Sequence, residues 1–127
     1  MNLRSKQHHS SLDLLGFIAI LFIAFMLKGL IIPTGTYTAI TIESRRSYGW
    51  DSFLSPKDQG VLVYTVDTRV PYKRSPMQLI VPARTLDREW YTDGALKKGE
   101  TVTTNGWKIT VVESGDFGDV VKVEKVG

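Results

Sequence analysis

The residues from Thr36 to Thr68 constrain the fold of this chain most strongly, because they predict two neighbouring strands joined by a polar loop. The first strand alternates and places Ile40 and Ile42 on one face. The second strand, Gly60 to Asp67, is β-branched and aromatic nearly throughout. Loops on a rigid sheet often carry recognition or catalysis, so this loop is a candidate site. Its charged and aromatic side chains are Glu43, Arg45, Arg46, Tyr48, Trp50 and Asp51.

Short strands separated by turns continue along the rest of the chain. Met77 to Val81 predicts a third strand, and residues 83–93 predict an irregular loop with its two aromatic side chains packed inward. Asn105-Gly106 favours a two-residue type I′ hairpin turn between strands 102–104 and 107–113. The sequence S-G-D-F-G-D predicts another turn before a valine-rich closing strand. Six or seven short strands predict an all-β fold, a small antiparallel β-sandwich over residues 33–127.

The apolar run from residue 14 to residue 32 predicts a helix that spans a membrane. Lys28 is its only charge, and a helix of this length reaches about 28 Å, close to the thickness of a bilayer core. Arg4 and Lys6 predict a cytoplasmic head over residues 1–13, and hence a single-pass membrane protein with its β-domain outside the cytoplasm. A cleaved signal peptide and a buried helix of a larger protein are the alternatives.

Composition excludes several classes of site. The chain contains no cysteine, so it has no disulfide and no thiol nucleophile. Its two histidines, His8 and His9, both lie in the head, which leaves the β-domain without a Ser-His-Asp triad or a histidine-based zinc site. The β-domain is close to neutral, and Arg45-Arg46 is interpreted as a pair of solvated loop charges rather than a nucleic-acid contact. We therefore predict no catalytic residue, no metal, no cofactor and no nucleic-acid partner.

The sequence contains two groups of carboxylates that could form a binding or catalytic site. Asp116 and Asp119 could face a calcium ion, but two side chains are too few to specify one, so turn residues are the favoured interpretation. The second group consists of Glu43, Asp51 and Asp67. Paired carboxylates suit glycoside hydrolysis, yet no spacing in the sequence fixes their separation. An ion-paired network that orders the loop is favoured instead.

Residues 36–126 resemble a known family. The motifs are T-Y-T-A-I-T-I-E-S-R-R-S-Y-G-W-D, then Q-G-V-L-V-Y-T-V-D, and later A-L-K-K-G-E-T-V with E-S-G-D-F-G-D-V-V-K-V. They resemble the region after the catalytic domain in secreted bacterial zinc metallopeptidases of the immune inhibitor A type. The resemblance implies a β-rich, non-catalytic domain beside a peptidase, whose zinc-binding helix lies upstream. The positions that match the family motifs, with unknown roles, are Glu43, Arg45, Gly49, Asp51 and Asp67.

These observations lead to three functional hypotheses. The leading one is a membrane-anchored, extracytoplasmic accessory or binding module without catalysis of its own, which contacts a protein or the cell wall. In it, Glu43 and Arg45 pair to hold the loop. The second is a fragment of a secreted zinc metallopeptidase. The third is a cell-wall module for carbohydrate or peptide, with an aromatic platform made of Tyr48, Trp50, Trp90 and Tyr91.

Overall fold

Two antiparallel sheets make up almost the whole of the described chain. The structure, a computed structural model, describes residues 21–24, 29–47, 56–87, 89–91 and 93–126. The only helical segments in these residues are two single turns of 3₁₀-helix, Pro56–Asp58 and Tyr72–Arg74. The prediction of an all-β fold is confirmed. The strands are β1 Leu21–Ala24, β2 Gly29–Pro33, β3 Thr38–Arg45, β4 Gly60–Asp67, β5 Met77–Ile80, β6 Thr101–Thr104, β7 Trp107–Gly115 and β8 Gly118–Lys125.

The strands divide between two sheets of four strands each. The first sheet has the order β1-β8-β7-β6, and the second has the order β2-β3-β4-β5. Both sheets contribute side chains to one apolar cluster, so they pack on each other in a sandwich-like arrangement. The buried members of that cluster are Ile40, Ile42, Val61, Val63, Leu96, Val102, Ile109, Val111, Val121 and Val123.

Several strands and turns lie where the sequence predicts them. The strand β4 has the predicted limits, and Ile40 and Ile42 of β3 are completely buried. Asn105 and Gly106 have φ angles of 48° and 78°, as a type I′ turn requires, and β6 pairs with β7 around them. β7 and β8 form the last hairpin, with a register shift between Val111 and Glu113.

The predicted helix over residues 14–32 disagrees with the structure where its residues are described. Leu21–Ala24 and Gly29–Pro33 are strands, and a membrane-spanning helix over residues 14–32 stays a prediction. In β2 the side chains alternate: Leu30 and Ile32 pack on the core, and Ile31 faces outward. Pairing with β3 satisfies the backbone groups on one side of this apolar strand. Residues 14–20 and 25–28 lie outside the described residues, as does the head.

No helix among the described residues is both long and apolar enough to cross a membrane.

The segment between β5 and β6 is irregular in its described residues, as the sequence predicts. Its aromatic residues do not both pack inward, because Trp90 is 76% exposed, and that part of the prediction is wrong. Ala95 and Leu96 fill the core instead. Leu96 forms an isolated antiparallel bridge with Val61 and continues the edge of the sheet beyond β5.

Candidate functional site

A groove of about 500 Å³ crosses the outer face of the sheet β2-β3-β4-β5. The floor of the groove is formed where β2 has a glycine, which carries no side chain, at the position opposite Glu43. A Cβ built on Gly29 would lie 3.0 Å from the backbone oxygen of Ile42 and 3.8 Å from Glu43 Cγ, so a side chain there would pack tightly beside Glu43. The residues that line the groove are Gly29, Leu30, Ile31, Thr41, Glu43, Ser44, Arg45 and Tyr64.

The polar centre of this groove is the Glu43 carboxylate. Tyr64 Oη donates a hydrogen bond of 2.7 Å to Glu43 Oε1. Burial, followed by this hydrogen bond and the charge of Glu43, raises the pKa of the Tyr64 phenol, so Tyr64 is a donor at neutral pH. Glu43 Oε2 lies 3.8 Å from Arg45 Nε, which is an ion pair at a distance longer than a hydrogen bond.

The predicted pair of Glu43 and Arg45 is present but loose. The Glu43 side chain is 34% exposed and the Arg45 side chain 47% exposed, and a pair with this exposure contributes at most about 1 kcal/mol. Both residues lie on the outer face of β3, away from the core. That this pair holds the loop stays a prediction.

A second arginine makes the stronger contact at the start of the loop. Asp119 is completely buried, and Arg46, only 20% exposed, donates to both of its oxygens. Ser44 Oγ and Ser114 Oγ also donate hydrogen bonds to the Asp119 carboxylate, at 2.5 and 2.6 Å. Interpreting Arg46 as a solvated charge, and Asp119 as a turn residue, is therefore wrong. The available signal was alternation, because Ser44 and Arg46 have the same parity as the buried isoleucines of β3.

The other end of the loop is also attached to the sandwich. Lys97 Nζ donates to the backbone oxygen of Pro56 at 3.0 Å and to that of Gln59. Burial, followed by the nearby Arg84 and Arg46 charges, lowers the pKa of the Lys97 ammonium. The Ser47 N–H donates to Gln59 Oε1 at 3.1 Å and connects the two ends. Gly49, Asp51, Tyr48 and Trp50 lie between these points, outside the described residues.

Asp67 does not join Glu43. Glu43 pairs with Leu62, and Asp67 lies five residues farther along β4, about 17 Å away at about 3.4 Å per residue. This separation is too large for the two carboxylates of a glycosidase. Asp67 instead accepts hydrogen bonds from the backbone and side chain of Arg69, which lower its pKa. In the structure, Asp67 closes the turn that follows β4.

A metal site and an aromatic platform are two other kinds of site to compare with the described residues. No group of three or more histidine, aspartate or glutamate side chains there could hold a metal ion. Of the proposed aromatic platform, Trp90 is exposed and Tyr91 is partly buried, and the two remaining members lie in the undescribed part of the loop.

No protein-family model, curated protein or solved structure matches this chain. The resemblance to the immune inhibitor A type of peptidase stays a prediction that rests on its motifs.

Proposed function

We propose that this chain is a binding module and that its binding site is the Glu43 groove. The observation that carries the proposal is the Glu43 carboxylate, which lines the groove together with the exposed Ile31 and has one oxygen held by Tyr64. A polar anchor beside an apolar wall is the usual composition of a recognition site. The module has no catalytic role of its own in this proposal.

Binding can be mapped on the full chain in detergent micelles. We expect ligands from a library of short peptides and oligosaccharides to shift the amide resonances of residues 29–31, 41–45 and 64. Glu43→Gln should weaken those ligands, whereas Glu113→Gln should not, because Glu113 is an exposed glutamate on the other sheet. A library in which no member shifts these resonances would contradict the proposal.

A second candidate uses Trp90, whose indole is 76% exposed on the loop between β5 and β6. Exposed aromatic rings are frequent anchors for binding partners, so this loop supports the hypothesis of a cell-wall carbohydrate or peptide module. In that case the resonances of residues 86–91 should shift, and Trp90→Ala should abolish binding. Shifts confined to the Glu43 groove would exclude this candidate.

We propose attachment to a membrane as an alternative to the Glu43 groove, on the basis of the apolar run alone. A helix over residues 14–32 and the strands β1 and β2 cannot form at the same time, since both need residues 21–24 and 29–33. If the run spans a bilayer in cells, alkaline carbonate should leave the full chain in the membrane pellet. Release into the supernatant would contradict a spanning anchor.

A further inference from the structure

The strand β2 lies at the edge of its sheet and borders the groove. Among the described residues, no strand pairs with its free side. It carries no charged residue between Gly29 and Pro33, and Ile31 is 66% exposed. Uncharged edge strands offer backbone donors and acceptors to an additional strand, and many peptide-binding domains use such an edge.

The register of β2 and β3 fixes what a fifth strand would meet. Gly29 pairs with Glu43, and Ile31 pairs with Thr41. Side chains of an added strand opposite Gly29 and Ile31 would both lie on the outer face, because alternate residues share a face. The side chain opposite Ile31 would pack on an aliphatic wall. The side chain opposite Gly29 would meet no side chain on β2.

The gap at Gly29 opens a path to the Glu43 carboxylate. An added strand would lie two strand spacings from β3, about 10 Å. A lysine or arginine opposite Gly29 could cross this distance, since β2 carries no side chain between the added strand and Glu43. Its cation would meet Glu43 Oε2, whose present partner Arg45 is loosely held at 3.8 Å and half-exposed.

We infer that the groove and the free edge of β2 bind an extended peptide with a basic residue opposite Gly29 and an aliphatic residue opposite Ile31. Every described pairing between strands is antiparallel, so the peptide is taken as antiparallel to β2. Its pattern is then aliphatic, any residue, basic. This inference rests on the proposed function and names the class of ligand for the same site.

The test uses the full chain in micelles and the synthetic peptide acetyl-TTVTKTT-amide, followed by amide resonances. We expect shifts along β2 and slower hydrogen exchange of those β2 amides that do not bond to β3. Glu43→Gln should weaken binding about two- to fivefold, as the loss of an exposed ion pair implies. The exchanged peptide acetyl-TTKTVTT-amide should bind more weakly than the first.

Charge reversal separates recognition from a structural effect. Glu43→Lys should bind acetyl-TTVTETT-amide better than acetyl-TTVTKTT-amide, whereas the unchanged protein should show the opposite preference. If Glu43→Lys does not fold, binding of the same two peptides to Glu43→Gln tests the inference instead. The preference of the protein for the lysine peptide over the glutamate peptide should then disappear.

Several outcomes would overturn the inference. One is binding that ignores the peptide charge, and another is a set of shifts on a different face. The third is a dimer formed through β2 without peptide, detected by translational diffusion, which makes a second copy the occupant. If other ligands shift the groove while these peptides do not, the inference fails and the proposed function stands. If nothing shifts the groove, both fail.

Discussion

Arg45 and Arg46 are neighbours in the sequence and face opposite sides of the sheet. Arg45 lies beside Glu43 on the outer face, 47% exposed. Arg46 reaches Asp119, whose carboxylate is completely buried, and connects the end of β3 with the start of β8. The alternation of side chains along a strand produces this difference, and it decides which arginine supports the fold.

We predict that Arg46→Ala destabilises the protein by about 3 kcal/mol, because it leaves a buried carboxylate without its cation. Arg45→Ala is the matched control and should change the free energy of unfolding by less than about 1 kcal/mol. Urea denaturation of both variants measures the difference. The Ser47 amide, which donates to Gln59, should exchange faster only in Arg46→Ala. Equal losses of stability in the two variants would contradict this assignment.

Glu100 predicts how stability depends on pH. Burial alone would raise its pKa, but hydrogen bonds from the Arg84 side chain and the Lys97 N–H outweigh burial and lower it below its usual 4.5. A lowered pKa in the folded state adds stability above pH 4.5, and this stability is lost as the pH falls through the folded pKa. Acid should therefore destabilise the protein through Glu100.

We expect Glu100→Gln to lose about 1 to 2 kcal/mol at pH 7 and to lose less than the unchanged protein between pH 5 and pH 3. Glu113→Gln is the control, because Glu113 is 55% exposed and forms its ion pair with the exposed Lys98. Urea midpoints across this pH range provide the measurement. Parallel pH curves for the unchanged protein and Glu100→Gln would count against a role for Glu100.

The first residue of β4 lies very close to the segment before β6. Gly60 has a φ of 145°, and a Cβ there would lie 2.5 Å from the backbone oxygen of Leu96. Leu96 and Val61 exchange two backbone hydrogen bonds, of 3.0 and 2.7 Å, at this point. The segment before β6 can join the edge of β4 only because residue 60 has no side chain.

Gly60→Ala should therefore destabilise the protein more than Gly106→Ala. Both glycines have a positive φ, which costs an alanine about 1 to 2 kcal/mol, but no atom lies within 4 Å of a Cβ on Gly106. The clash with Leu96 should add about 1 to 3 kcal/mol for Gly60→Ala alone. Thermal or urea denaturation compares the two variants, and hydrogen exchange of the Leu96 amide should accelerate only in Gly60→Ala. Similar losses in both variants would mean that the contact relaxes at little cost.

For the whole molecule, one apolar cluster joins the two sheets, so they should unfold together. Ile42 of β3 contributes to the cluster that also contains Ile109 of β7 and Val123 of β8. Each fully buried side chain of this size contributes about 1.5 to 3 kcal/mol. Neither sheet keeps its buried face covered without the other.

We predict that Ile42→Ala lowers the free energy of unfolding by about 2 to 5 kcal/mol. Hydrogen exchange should report the same loss for amides of β3 and of β7, although β7 belongs to the other sheet. Ile31→Ala is the matched control on the same sheet, because Ile31 is 66% exposed, and its effect should remain within about 0.5 kcal/mol. A loss confined to the amides of β2–β5 would show that the sheets unfold separately.

The all-β class and the strands with local patterns can be predicted from the amino-acid sequence alone. β-branched residues and alternation defined β3, β4 and β5, and Asn105-Gly106 defined the hairpin of β6 and β7, since turn chemistry depends on adjacent residues alone. Glu43 was also found, as a charged residue of the predicted loop, although the structure places it within β3.

Features that depend on residues distant in the sequence could be seen only in the folded protein. The apolar residues 21–24 and 29–33 match a helix by composition, and they are strands because β8 and β3 pair with them. Arg46 and Asp119 are 73 positions apart in the sequence, and nothing local joins them. The same reason applies to the groove, because the glycine that opens it and the carboxylate at its centre meet only through the pairing of β2 with β3. Local patterns specify strands, whereas long-range pairing specifies which of their side chains form a site.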